Sequence, residues 1–154
     1  MRAFISLIAL ITSLSPALAQ ERQWSLDASE REAYLVFGVP DTDDVGLSFW
    51  CEIGKGKVSI FEPIDHSLLK KDKKIRIDLT MGDEKFNIMA KASTSPESRS
   101  ASLEALVAVD GTVMQAASKA QIISVIALGR KSSYPMFDAD VAGLLRLCAG
   151  DVVN

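Results

Sequence analysis

Residues 47–60, LSFWCEIGKGKVSI, decide the fold. Leu47, Phe49, Cys51 and Ile53 alternate with Ser48, Trp50 and Glu52, the two-residue period of a half-buried strand. One face of that strand is apolar and carries a cysteine. Gly54-Lys55-Gly56 then supplies a turn, and Val58 to Phe61 begin a return strand that Pro63 is expected to end. The only other cysteine is Cys148, close to the last residue. Where that second sulfur lies determines what the first strand packs against.

The same alternation recurs on both sides. Upstream, a polar segment containing Trp24 leads into AYLVFGVP, residues 33–40, where Leu35, Phe37 and Val39 share a face and Pro40 stops the strand. Asp41-Thr42-Asp43-Asp44 makes a turn, because Asp and Thr side chains bond local backbone groups. Downstream, the charged stretch DHSLLKKDKK, residues 65–74, reads as a surface loop. KIRIDLTM (74–81) alternates cleanly, and Gly82-Asp83 is a hairpin signal before EKFNIMAKA (84–92). A polar loop, STSPESRS (93–100), precedes a strand carrying Ala101, Leu103, Ala105, Val107 and Val109 on one face.

The pattern changes after Asp110. Thr112 with Gln115 has the spacing of a capping box and predicts one or two helical turns. IISVIAL (122–128) and SSYPMF (132–137) read as short strands around Gly129. Val141, Leu144, Leu145 and Cys148 then fall at i, i+3, i+4 and i+7, an apolar helical stripe. Asp138 or Asp140 caps this helix and Gly150 stops it, while Gly143 weakens it by about 1 kcal/mol relative to Ala. The expected fold is therefore mainly β with α: an antiparallel β-sandwich or half-open barrel, with one short helix and a C-terminal helix.

The first twenty residues, MRAFISLIALITSLSPALAQ, read as a secretory signal peptide spanning 1–19. Arg2 gives the positive start, Ala3–Leu14 the apolar run, and Ala17-Leu18-Ala19 the cleavage signal. The run is shorter than the roughly 20 residues a membrane helix needs. Cleavage would leave residues 20–154 as a single β-rich domain without a membrane span. The formal net charge of −3 becomes −4 once Arg2 is removed. Such a balance argues against a nucleic-acid partner, which requires a basic face.

Export answers the cysteine question. Two cysteines in an oxidising compartment pair by default, so a Cys51–Cys148 disulfide is expected to pin the last helix to the sheet. A closed loop of about 100 residues stabilises by roughly 4–5 kcal/mol in the chain-entropy account. Free thiols are the alternative, and a nucleophilic cysteine would need a base beside it. His66 is the only histidine, and nothing in the sequence places it near either thiol.

Other patterns are weaker. Asp41, Asp43, Gly46 and Glu52 match positions 1, 3, 6 and 12 of a calcium loop, but Val45 at position 5 has no side-chain oxygen and the flanks read as strands. No metal site and no cofactor are expected. Asp65, His66 and Ser67 are sequence neighbours, which rarely converge as a triad. With no nucleophile–base pair, metal cluster or phosphate loop, the chain does not read as an enzyme. Two features suggest binding. Lys70, Lys71, Lys73 and Lys74 form a basic stretch that reads first as a solvated turn and otherwise would suit an anionic glycan, a lipid head group or an acidic partner. Trp50 falls on the face opposite Cys51, where an exposed indole would be a binding anchor unless a loop covers it.

The stretch VFGVPDTDDVGLSFWC, residues 36–51, resembles a strand–turn–strand pattern, YGVPETDD followed by a cysteine strand, in a group of exported alphaproteobacterial proteins. In that group the strand cysteine pairs with one at the end of the last helix. The layout is similar, more broadly, to the invasion-associated protein B group. The resemblance spans about residues 33–150 and implies a periplasmic or secreted protein; it brings no catalytic residues with it. FWCEIGKGKV (49–58) is similar to the start of periplasmic lysozyme inhibitors. Those insert an S-G-x-x-Y loop into the enzyme cleft, whereas Ser132, Ser133 and Tyr134 lack the glycine and the spacing. The expected function is a non-enzymatic periplasmic or secreted binding domain whose partner is an envelope or extracellular protein. The alternative is a cell-wall hydrolase inhibitor or envelope-stress factor.

Overall fold

The alternating segments become the strands of one antiparallel sheet: β1 (Gln23–Ala28), β2 (Glu32–Gly38), β3 (Val45–Glu52), β4 (Lys57–Ile64), β5 (Lys74–Met81), β6 (Glu84–Thr94), β7 (Ala101–Ala108), β8 (Ile122–Ala127) and β9 (Arg130–Pro135). The computed structural model describes residues 21–68, 74–94 and 101–151. The segment read as a signal peptide lies outside the described residues. Strand order is β1-β2-β3-β4-β7-β6-β5-β8-β9. The first four strands meander. The β5–β6–β7 meander then lies in reverse order, with β7 against β4 and β5 against β8.

A single sheet curls on itself, so the half-open barrel forms and the sandwich does not. The end strands meet only at a corner. Trp24 Nε1 of β1 donates to the Pro135 carbonyl of β9 at 2.6 Å, and the Trp24 amide donates to Asp138 Oδ2 at 3.2 Å. Leu35, Phe49, Ile60, Ile77, Leu79, Leu103 and Ile123 fill the concave face, all buried. Cross-strand pairs such as Leu35–Phe49, Phe49–Ile60 and Ile60–Ala105 run across this face in register.

Two helices complete the core. α1 (Thr112–Ala117) buries Val113, Met114, Ala116 and Ala117. α2 (Val141–Ala149) buries Val141, Gly143, Leu144 and Cys148 and packs on β2. Asp140 caps α2 by accepting from the Gly143 amide at 2.7 Å, and Gly150 ends it at φ 85°. Gly143 has a specific reason to be glycine: a Cβ there would lie 2.2 Å from Asp140 Oδ2 and displace the cap. Cys148 is disulfide-bonded to Cys51, with Cα atoms 5.7 Å apart. The Gly54 amide donates to the Cys148 carbonyl at 3.0 Å, so backbone and sulfur both fix the end of α2 to the β3–β4 turn.

Several boundaries differ from the sequence reading. The segment around Trp24 is a strand, and its pattern explains why: Trp24 and Leu26 face inward, Gln23, Ser25 and Asp27 outward. Pro63 does not end β4, which continues to Ile64 against β7. The β3 ladder stops at Phe61, so on that side a missing N–H forfeits no bond. Ser93 and Thr94 extend β6 rather than opening a loop, and Met136 and Phe137 fall beyond β9. Thr112 is not the cap of α1: Gly111 is, and Gln115 Nε2 donates to the Asp110 carbonyl at 2.9 Å instead of closing a capping box.

One irregularity shapes the barrel. Val36 pairs with Ser48 but Gly38 with Val45, so Gly46 and Leu47 together oppose Phe37 in a bulge. Both are buried. A Cβ on Gly46 would sit 2.9 Å from Tyr134 Cε1 and 3.1 Å from the Phe37 carbonyl oxygen, so the closely packed ring of Tyr134 demands glycine here. Among the described residues, no helix is long and apolar enough to cross a membrane.

Candidate functional site

The outer face of β2, β3 and β4 carries an aromatic groove. Because side chains alternate, Tyr34, Trp50 and Phe61 point away from the core that Leu35, Phe49 and Ile60 fill. Tyr34 lies directly opposite Trp50, and Phe61 opposite Ser48, which places Phe61 diagonal to Trp50. The groove has a volume of about 450 Å³ and is lined by Glu32, Tyr34, Val36, Ser48, Trp50 and Phe61. Trp50 is half-buried and Tyr34 is 37% exposed.

Beyond Ser48 and Phe61 the groove continues. The β3–β4 ladder contains just the pairs Ser48–Phe61, Phe49–Ile60 and Trp50–Ser59. Past it the strands diverge and leave a hollow of about 540 Å³ lined by Val45, Pro63, Ile64, Ala101 and Ser102, among others. Val45 is 44% exposed at its rim.

Polar groups order the rings. The Tyr34 hydroxyl donates to Glu32 Oε2. The Glu32 carboxylate holds the Tyr34 hydroxyl above the usual phenol range. Asp27 lies opposite Tyr34 on β1, and Glu52 lies opposite Glu32 on β3. On the far side, the buried Ser59 hydroxyl donates to Glu104 Oε1 at 2.8 Å.

Trp50 therefore stands on the face its alternation predicts. Tyr34 and Phe61 share that face and were overlooked, although the same period-two pattern marks them. What the pattern lacks is the register that sets the three side by side. The structure does not bring Lys74 to this groove. Lys74 is exposed at the start of β5, opposite Lys91, with β6 and β7 between it and β4. Lys70, Lys71 and Lys73 lie outside the described residues. His66 opens a 3-10 turn, His66–Leu68.

Asp43 and Glu52 lie at opposite ends of β3, so the positions of a calcium loop do not gather. The 41–44 segment instead folds on Thr42, whose hydroxyl donates to the Val39 carbonyl at 2.8 Å and accepts from the Asp44 amide at 3.1 Å. Arg22 pairs with Asp44 and holds its carboxyl below the usual range. Among the described residues, no three His, Cys, Asp or Glu side chains are placed to hold a metal.

A second polar feature was not legible: a carboxylate on the concave face. Glu62 of β4 is 4% exposed and accepts from the Tyr134 hydroxyl of β9, at 3.1 Å and 3.0 Å to its two oxygens. Burial pushes the Glu62 carboxyl above its ordinary 4.5, against the opposing pull of the Ser132 and Tyr134 hydroxyls and the Arg130 charge. Burial and the Glu62 charge likewise push the Tyr134 phenol up. Tyr134 also packs edge-on against Phe37, at 5.6 Å between centroids. The 132–134 segment is thus part of β9 with its tyrosine turned inward, not a protruding loop.

Because its folded carboxyl binds a proton more tightly than the unfolded one, Glu62 contributes most below about pH 4.5, and that contribution falls as pH rises through the raised value. Glu62→Gln, which still accepts from Tyr134, should therefore gain melting temperature relative to wild type between pH 4 and pH 7. A difference that is flat across that range would show that the carboxyl titrates as in the unfolded chain.

No protein-family model matches the chain, and no curated protein or solved structure matches it.

Proposed function

We propose that this chain is an exported, non-enzymatic binding module that presents the outer face of β2, β3 and β4 to an envelope or extracellular protein. Two features support export: the Arg-apolar-AxA N-terminus and the Cys51–Cys148 bridge that suits an oxidising compartment. The observation that carries the binding reading is the aromatic groove. Trp50, Tyr34 and Phe61 stand on the solvent side of a sheet whose other side already supplies the core. Trp and Tyr dominate the energetics of protein interfaces because they bury large area at low rotamer cost.

The test starts from the full chain expressed in a bacterial host. Its exported form should begin at Gln20 and weigh two hydrogens less than the dithiol. A photocrosslinking residue at Ser48, on the groove floor, should give a discrete protein adduct that Trp50→Ala abolishes. The same residue at Lys85, on β6, should give none. An intact N-terminus, or equal adducts from both positions, would overturn the reading.

A further inference from the structure

We propose that the groove receives an arginine side chain of the partner, its guanidinium stacked on the Tyr34–Trp50 pair and forked onto Glu32. This deepens the binding reading above and rests on it. The argument is charge complementarity around the aromatic pair. Tyr34 and Trp50 face each other across β2 and β3, and carboxylates flank them on the same face: Asp27 opposite Tyr34 on β1, Glu32 two residues before Tyr34 on β2, and Glu52 two residues after Trp50 on β3.

Glu32 and Glu52 are themselves directly opposite, and like charges in that register destabilise a sheet. Lys55 approaches Glu52 at 3.7 Å, with both side chains largely in water. Among the described residues, Glu32 and Asp27 have no ion-pair partner. The fold thus retains a repulsive pair beside two aromatic rings, and a bound cation would relieve the repulsion. The Tyr34 hydroxyl donates to Glu32 at the polar edge of its ring, and both rings line the groove.

Aromatic faces attract cations through their quadrupole, Trp most strongly. Arginine fits better than lysine: its planar guanidinium stacks on a ring and presents two parallel N–H groups to one carboxylate. An apolar side chain in the same place would cover Glu32 without compensating its charge. An anionic ligand would meet three carboxylates.

Two tryptophans give two indole N–H signals, which Trp50→Phe assigns. The disulfide-bonded protein is titrated with the peptide acetyl-Gly-Arg-Gly-amide, then with its citrulline and leucine counterparts. The arginine peptide should shift the Trp50 signal saturably, leave that of Trp24 in place, and bind about fivefold or more weakly to Glu32→Gln, as expected when a charge-assisted hydrogen bond is lost. A citrulline or leucine peptide that shifts Trp50 as strongly would overturn the cation inference while leaving a neutral docking face. Absence of any shift would overturn it too, and the Ser48 adduct would then show by itself whether the docking reading stands. An unchanged affinity for Glu32→Gln would remove the carboxylate from the account.

Discussion

Trp24→Ala should lower stability by about 3–5 kcal/mol, the cost of emptying a large aromatic site in a packed core. For a chain of this size that corresponds to a fall of roughly 10–20 °C in melting temperature. The size of the effect follows from position. Trp24 stacks on Phe49 at 5.8 Å and tilts against Phe37 at 5.4 Å between centroids, and its indole N–H reaches the Pro135 carbonyl. It therefore fills the core and also joins the first strand to the last, where no backbone ladder closes the barrel. Trp24→Phe keeps a ring in place and removes that one donor, so it should cost about 1–2 kcal/mol. Equal losses in the two variants, by thermal melting, would mean that the hydrogen bond and not the packing holds the corner.

Cys148→Ser should cost about 2–5 kcal/mol, or roughly 8–20 °C. The bridge spans 97 positions and encloses the chain from the end of β3 to α2, so its loss frees the unfolded chain over that whole length. The folded state loses as well: Cys148 is fully buried, and the serine hydroxyl would stand among apolar neighbours beside a free Cys51 thiol, a weak hydrogen-bond partner. Cys51→Ser/Cys148→Ser should fall by a similar amount, because the tether is one interaction and not two. An unchanged melting temperature would show that the backbone bond from Gly54 to Cys148 suffices to hold α2.

Period-two patterning carried most of the strand content, because most strands bury chiefly one face and their residues alternate accordingly. It also placed Trp50 outward and Cys51 inward from seven consecutive letters. The last helix was equally legible, since Asp140, the Val141–Cys148 stripe and Gly150 each mark a separate part of it. The strand at Trp24 was obscured by its polar outward residues, although QWSLDA alternates as strictly as KIRIDLTM. Pro63 misled because a proline stops a strand only where its N–H would have been used. The neighbours in space were not legible. That β4 pairs with β7 and β5 with β8 depends on which apolar faces close the barrel, and all of them read alike. For the same reason the buried Glu62–Tyr134 contact, between residues 72 positions apart, left no trace in the sequence.

The groove depends on Trp50 meeting solvent while Trp24 does not. In Trp24→Phe, Trp50 is the remaining indole, and acrylamide quenching of its fluorescence measures whether the outer face is open. The account predicts emission typical of a wet indole and strong quenching, against the weak quenching expected of Trp24 in the Trp50→Phe protein. Blue-shifted emission from Trp50 that acrylamide fails to quench would contradict it, since a covered indole cannot serve as the anchor of a docking face.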